Sequence, residues 1–232
     1  MFYQPEDGRG WVVLAAYHEE TLLSVLDEMM DDPESAGFSD IGIRNILYTE
    51  VLNTRPRRVL EIGTHIGTGA VVMGTALQRN GYGKLISLEP QLKYKAIAEG
   101  YIARAGLSET VEILPFFSYQ DECQQRLRAE GPFDLIFIDG AHEYEAALFD
   151  IRLAYALLRE NGLIILHDSG RDSPQMDQSG QGGVRRAVHD FAAETPGAVA
   201  IFREHPLWLN PCGAALICKQ LLEPAIETPA GA

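Results

Sequence analysis

The 232-residue chain is expected to fold as a doubly wound α/β domain: a seven-stranded sheet, mostly parallel with an antiparallel C-terminal edge hairpin, plus a small N-terminal helical cap. Three observations lead to this expectation. From about Arg57 onward, short apolar β-branched runs alternate with longer stretches whose apolar residues recur every three or four positions, as strands joined by crossover helices do. The short runs are almost continuously apolar rather than alternating, which suits strands covered on both faces. A hydrophobic fraction of 46% in a chain of this length supports a core that needs neither disulfides nor a structural metal.

In chain order, residues 1–55 hold a helix from about Glu19 to Met30, an acidic DDPESAG break and a second helix from about Asp40 to Thr54; these form the cap on a domain spanning 56–222. The predicted strands are 58–63 (RVLEIG), 84–89 (KLISLE), 111–115 (VEILP), 133–139 (FDLIFID), 162–168 (GLIILHD), 198–202 (AVAIF) and 214–219 (AALICK). Between them lie helical stretches such as GAVVMGTALQRN, YKAIAEGYIARAG and YEAALFDIRLAYALLREN, the last two closing on turn signals at 105–107 and at Asn161-Gly162. The segment EHPLWLNPCG between the last two strands lacks helical periodicity, so that pair reads as a hairpin. SGRDSPQMDQSGQGG (169–183) reads as a binding loop or lid, and 223–232 as a flexible tail.

Charge and composition exclude several classes. Acidic side chains number 33 against 19 basic ones, a net charge of -14 that disfavours nucleic acid. Residues 1–55 carry 11 acidic and 3 basic groups and the remaining 177 carry 22 and 16, so over half the excess sits in the cap, read as a solvated surface or the rim of a homo-oligomer. The longest apolar run, seven residues from Trp11 to Tyr17, is too short to cross a membrane, and MFYQPEDG lacks the basic start of a signal peptide; a cytoplasmic location is expected. Cys123, Cys212 and Cys218 lack metal-binding spacing and read as reduced thiols.

Chemistry concentrates where strands end. VLEIGTHIGTGA places Gly63, Gly67 and Gly69 at a strand-to-helix turn, where glycine permits a tight turn and close approach of a ligand. The same spacing fits short-chain dehydrogenases, but no Tyr here has a Lys four residues later; a glycine turn that only packs strand on helix is the plainer alternative. Glu61 precedes the first glycine, and Glu89 ends the second strand, where a carboxylate can accept both hydroxyls of a ribose. Asp139 ends the fourth strand before GAHEY, and His167-Asp168 end the fifth, so all converge on one rim of the sheet.

Together VLEIGTHIG, SLEP, FDLIFIDGAHEY and the strand ending His167-Asp168 resemble the class I S-adenosylmethionine-dependent methyltransferases, Rossmann-like enzymes, and more narrowly the bacterial small-molecule O-methyltransferases of the macrocin and catechol types, over about residues 44–219. The resemblance implies S-adenosyl-L-methionine as cofactor, a small hydroxylated acceptor, and neither nucleic acid nor membrane as partner. It puts Glu61, Gly63 and Gly67 at the cofactor's methionine end and sugar and Glu89 on the ribose, and counts Thr64, His65 and Asp139 among the cofactor-binding residues. It also implies a divalent metal held by Asp139, His167 and Asp168; the imidazole shifts preference from magnesium toward manganese and other transition metals. Two departures stand out. His65 replaces a common glycine, and Phe117 stands where the family usually offers an Asp to the adenine amino group, so that Phe116 or Phe117 would stack on adenine with Ser118 bonding nearby, or else adenine binding is weakened.

Methyl transfer to oxygen needs the acceptor aligned and at least partly deprotonated, and Asp139, His142 and His167 are the candidates for that work. Structural roles compete: His142 capping the helix at Glu143, Asp168 binding loop amides, and Tyr144 packing at the helix start. Trp11, Tyr17 and His18 of the cap and Arg171, Arg185 and Arg186 around the long loop are candidate substrate contacts; core packing competes for the aromatic residues, and a solvated helix start for the arginine pair. A protein of the same fold that binds the cofactor without transferring methyl, acting as a regulatory or structural partner or in a rearrangement or elimination, is the alternative function.

Overall fold

The computed structural model describes residues 2–3, 12–13, 16–35, 39–171, 173–203 and 212–219. Its seven-stranded sheet comprises β3 (Arg58–Ile62), β4 (Lys84–Leu88), β5 (Val111–Leu114), β6 (Phe133–Ile138), β7 (Leu158–His167), β8 (Ala198–Arg203) and β9 (Ala214–Lys219), in the order β5-β4-β3-β6-β7-β9-β8. Strands β3 to β7 pair in parallel, while β9 runs antiparallel to both β7 and β8, so the expected edge hairpin is present. A short antiparallel pair, β1 (Phe2–Tyr3) with β2 (Val12–Val13), was not expected from the sequence. The expected tail and Trp11 lie outside the described residues.

Uniformly apolar strands are explained by where alternate residues go. Val59, Leu85, Val111, Leu135, Phe137 and Ile165 enter a core shared with α1 (Glu20–Met30), α2 (Ile41–Thr54), α3 (Thr68–Asn80) and α4 (Leu92–Arg104). Their neighbours Leu60, Ile62, Ile86, Ile136, Ile138 and Ile164 enter a second core on the opposite face with α5 (Asp121–Glu130), α6 (Tyr144–Leu157) and α7 (Gly183–Glu194). The helix expected over 144–161 stops at Leu157 instead. Leu158 already pairs with Phe133 of β6, and Asn161 adopts φ 58°, giving an irregular register before Leu135 meets Leu163. Sheet pairing outweighs the local helical preference of LLREN.

The cap helices are tied down by packing and by charge. Ile43, Leu47, Tyr48 and Val51 of α2 are fully buried, as is Met29 of α1. Glu19 pairs with Arg79 of α3 at 3.0 Å, Glu34 with Lys93 at 2.7 Å and Glu28 with Arg104 at 3.2 Å, while Tyr101 Oη donates to Asp32 Oδ2 at 2.7 Å. The acidic excess of the cap is therefore partly an attachment to α3 and α4, not only the solvated surface expected from the sequence. Asp40 caps α2, its Oδ1 accepting from the backbone N–H of Gly42 and Ile43 at 2.6 and 3.1 Å.

Strand order reverses between β3 and β6, whose C-terminal ends lie side by side and open a crevice, the usual ligand position in such sheets. Asp139 N–H donates to Ile62 carbonyl at 2.8 Å, and Gly63 adopts φ 98°, with a Cβ there overlapping the carbonyl of Asp139. Only glycine closes the two strand ends to this distance.

Candidate functional site

Two adjoining cavities occupy that crevice and share Gly63, His65, Asp139 and Gly140. The larger, about 620 Å³, runs from Glu89 and Gln91 past Phe116, Phe117, Ser118 and Tyr119 to Phe149 and Asp150 of α6. The smaller, about 340 Å³, is lined by Asp40, Glu61, Thr64, His142, His167, Asp168 and Cys212 among others.

Glu89, at the end of β4, orders the turn after β3: its carboxylate accepts from His65 N–H at 2.8 Å and from Gln91 N–H at 2.9 Å. His65 sits at φ 50° with its ring 4.5 Å from that of Tyr94, and burial pulls its pKa down against the charges of Glu89 and Asp139. Thr64 turns its hydroxyl inward to Ser87 Oγ, which in turn hydrogen-bonds to Glu61 Oε2. Gly67 lines neither cavity; it caps α3 at φ 99° and packs on Ala98. Gly69 takes a place in the smaller cavity, where a Cβ would overlap Glu61 Oε1.

Glu61 is 1% exposed, and burial pushes its carboxyl up to about 8; the nearby charges of Asp139 and Glu89 add to this, while the Ser87 hydrogen bond opposes it. At neutral pH it is a neutral acid inside the wall of the site.

Beyond β6 and β7 the titratable groups interlock. His167 Nδ1 lies 3.0 Å from Asp139 Oδ1 and 3.5 Å from Asp168 Oδ2, and its Nε2 faces Asp40 Oδ2 at 3.6 Å. Burial disfavours the imidazolium, but these carboxylates outweigh it and raise the pKa well above the ordinary histidine value. These carboxylates favour the protonated form of His167, which suits it less to the work of a base than to that of a cation within the cluster. His142 Nε2 is hydrogen-bonded to Asp168 Oδ2 at 2.7 Å and does not cap α6, whose cap is Glu143 with no side-chain bond. That bond raises the His142 pKa against the effect of burial. Asp168, at φ 53°, is pushed up by burial but held below the usual aspartate value by His142 and the charge of His167.

Sequence reasoning missed several members. Asp40 reads locally as a helix cap, and only the docking of α2 brings it to His167. Cys212 enters from the segment before β9; its thiol is driven up to about 12 by burial and by Asp168, and it stands with His167 and Asp168 so that one ligand atom from each lies within 4.8 Å of the others. Asp150 left a faint signal, an acid on the apolar stripe of α6. Ser118 donates its hydroxyl proton to Asp150 Oδ1 and keeps only acceptor lone pairs for a ligand. Phe117 is 47% exposed and stacks on Tyr119 with ring centres 5.1 Å apart.

The remaining expected contacts line neither cavity. Tyr17 is core, edge-on to Tyr48 at 5.5 Å, and His18 is exposed. Tyr144 Oη donates to Asp190 Oδ2 at 2.9 Å, Arg185 donates to the Ser169 carbonyl at 3.1 Å, Arg186 pairs with Asp190 at 3.2 Å, and Arg171 is exposed.

A family model described as a methyltransferase domain matches residues 60–169. A catechol O-methyltransferase of Niastella koreensis is 29% identical over 170 residues, covering 72% of this chain and 73% of that protein. A catechol O-methyltransferase of Mycobacterium tuberculosis is 31% identical over 146 residues, 61% of this chain and 62% of its own length. Among solved structures, the O-methyltransferase from Bacillus cereus in complex with SAH superposes with a TM-score of 0.73 at 24% identity, over 88% of this chain and 93% of that one.

The burial of Glu61 has a measurable sign. The unfolded chain ionises this carboxyl near its ordinary value of 4.5 and the folded chain only near 8, so folding takes up a proton between these values and stability falls as pH rises through that window. Glu61→Gln should remove this slope and gain on wild type by a few kcal/mol at the alkaline end, read as the difference in urea-unfolding free energy between the two proteins across the window.

Proposed function

We propose that this chain, which belongs to the class I S-adenosylmethionine-dependent methyltransferases, is an O-methyltransferase that methylates a hydroxyl group of a small molecule in the crevice between β3 and β6. One observation carries the reading: a larger cavity that begins at Glu89 opens, through Gly63 and Asp139, into a smaller one that ends at the His142–Asp168 pair. The first has the volume an adenosine needs and a carboxylate, Glu89, suited to ribose hydroxyls, and the second holds acid–base groups suited to a hydroxyl. Support comes from the catechol O-methyltransferases among the relatives and from SAH in the Bacillus cereus protein.

Bound S-adenosylmethionine supplies an electrophilic methyl on a sulfonium, transferred by in-line displacement. Glu89, already ordered by His65 and Gln91 amides, keeps lone pairs for the ribose hydroxyls. Donation of Nε2–H to Asp168 leaves His142 Nδ1 with its lone pair in the smaller cavity, the tautomer a general base requires. The imidazolium of His167 offsets the carboxylates of Asp139, Asp168 and Asp40, so the pocket accepts a forming oxyanion without gathering uncompensated negative charge.

The cluster also fits a divalent cation. Asp168 Oδ1, His167 Nε2 and Asp40 Oδ2 are buried without a hydrogen-bond partner among the described residues. Of the expected ligands, His167 and Asp168 group with Cys212 and would hold the ion, which would displace the proton His167 otherwise carries; a carboxylate, imidazole and thiol set favours a transition metal over magnesium, with Asp139 adjoining through His167. When bound, such an ion lowers the pKa of the acceptor hydroxyl.

Calorimetry with S-adenosylhomocysteine tests the reading: wild type should bind and Glu89→Ala should bind at least about tenfold more weakly, one lost charged hydrogen-bond acceptor being worth roughly 1.5–3 kcal/mol; absence of binding by wild type sinks it. His142→Ala should lower kcat by about 10²- to 10⁴-fold while S-adenosylhomocysteine affinity stays within about twofold. Chelation should depress turnover, with manganese or cobalt restoring it better than magnesium; full turnover after chelation would instead leave proton removal to His142 alone.

A further inference from the structure

The loop after β5 presents Phe116 and Phe117 to the larger cavity, and neither can accept a hydrogen bond from an adenine amino group. Ser118 beside them spends its one proton on Asp150 Oδ1, keeping only the weaker acceptor lone pairs of a neutral hydroxyl. Asp150 comes from the middle of α6, is only 5% exposed, and lines the same cavity as Glu89. Ser118 is its one hydrogen-bond partner among the described residues. Its second oxygen lies beside Gly140, where an added Cβ would stand 3.4 Å away, so it is next to the segment that joins the two cavities. A buried carboxyl with a single hydroxyl donor is poorly compensated, and a site that placed one there gains by bringing it a second donor.

We propose that Asp150 recognises the exocyclic amino group of the cofactor's adenine through Oδ2, with Ser118 fixing the carboxylate and the Phe117–Tyr119 stack walling the base at the rim. Recognition of the base is thus transferred from the loop after β5 to helix α6. The assignment rests on the S-adenosylmethionine reading of the crevice and adds to it a residue that discriminates between purines. A carboxylate accepts from the amino group of adenine and repels an oxo group at the same position, so the site should reject hypoxanthine.

The test is calorimetric titration of the full chain with S-adenosylhomocysteine and with its inosine analogue, in which an oxo group replaces the adenine amino group. Wild type should prefer the adenine form by about ten- to a hundredfold. In Asp150→Asn the amide can donate to the oxo group as well as accept from the amino group, so the preference should shrink to within about threefold. Ser118→Ala leaves α6 untouched and should narrow the preference by about threefold or more, which keeps attribution to this pair measurable where Asp150→Asn fails to fold. Equal binding of both ligands by wild type, or an unchanged preference in the folded variants, overturns the assignment. Failure of wild type to bind S-adenosylhomocysteine at all overturns the cofactor reading beneath it, and the two failures are distinguished in the first titration.

Discussion

Two strands adjacent in space and far apart in sequence must end within backbone contact of each other, and the site follows from that closeness. Gly63 at the end of β3 leaves no room for a side chain against the Asp139 carbonyl at the end of β6, and the Asp139 amide is tied to Ile62. This approach holds Asp139 beside the glycine turn and makes Gly63, Asp139 and Gly140 the shared wall of both cavities. It also brings Glu89 of the neighbouring strand to the His65 amide, so one closed junction orders the larger cavity at its Glu89 end and the smaller at its Asp139 end. The hydrophobic cores on either face of the sheet supply the rigidity that lets a junction of backbone atoms stay closed.

Around that junction four acidic groups are kept close, one of them by staying neutral and the others by sharing a buried imidazole. Glu61 is fully enclosed and neutral, with Ser87 and Thr64 absorbing its polar atoms. Asp168 is held ionised by two histidines, and His167 carries the proton that Asp139, Asp168 and Asp40 jointly favour. Had all the carboxyls been charged and the imidazole neutral, the pocket would have repelled a developing oxyanion. Division of charge among near neighbours is therefore what lets so many acidic groups share one crevice.

The cap takes part in this through a residue of ordinary local appearance. Asp40 uses one carboxylate oxygen to cap α2 and turns the other toward His167, so the docking of α2 on α3 is transmitted directly to the cluster. The fully buried face of α2 and the Tyr48 hydroxyl, bonded to Glu19 and accepting from Arg79, secure that docking, while the ion pairs to Lys93 and Arg104 tie α1 and the segment after it to α4. Much of the acidic surplus of the first residues works as attachment, which an inventory of net charge could not distinguish from a solvated surface.

Strand positions, the two-sided cover of the sheet and the edge hairpin were legible in the sequence because hydrophobic period and turn residues are local properties. So were Glu61, Gly63, Glu89, Asp139 and His167-Asp168, since a parallel sheet sends every strand end to one rim. The tertiary structure decided what local pattern cannot encode: that His142 meets Asp168 and not a helix end, that the Thr64 hydroxyl bonds Ser87 and Gly67 packs on Ala98, and that Asp40, Cys212 and Asp150 arrive from distant segments. It also ended α6 at Leu157, where pairing with Phe133 outweighed helical preference. The physical reason is the same in each case: protonation, hydrogen-bond partner and orientation depend on short-range forces between groups that only folding brings together, so the sequence determines which groups reach the rim and the packed structure determines what each becomes there.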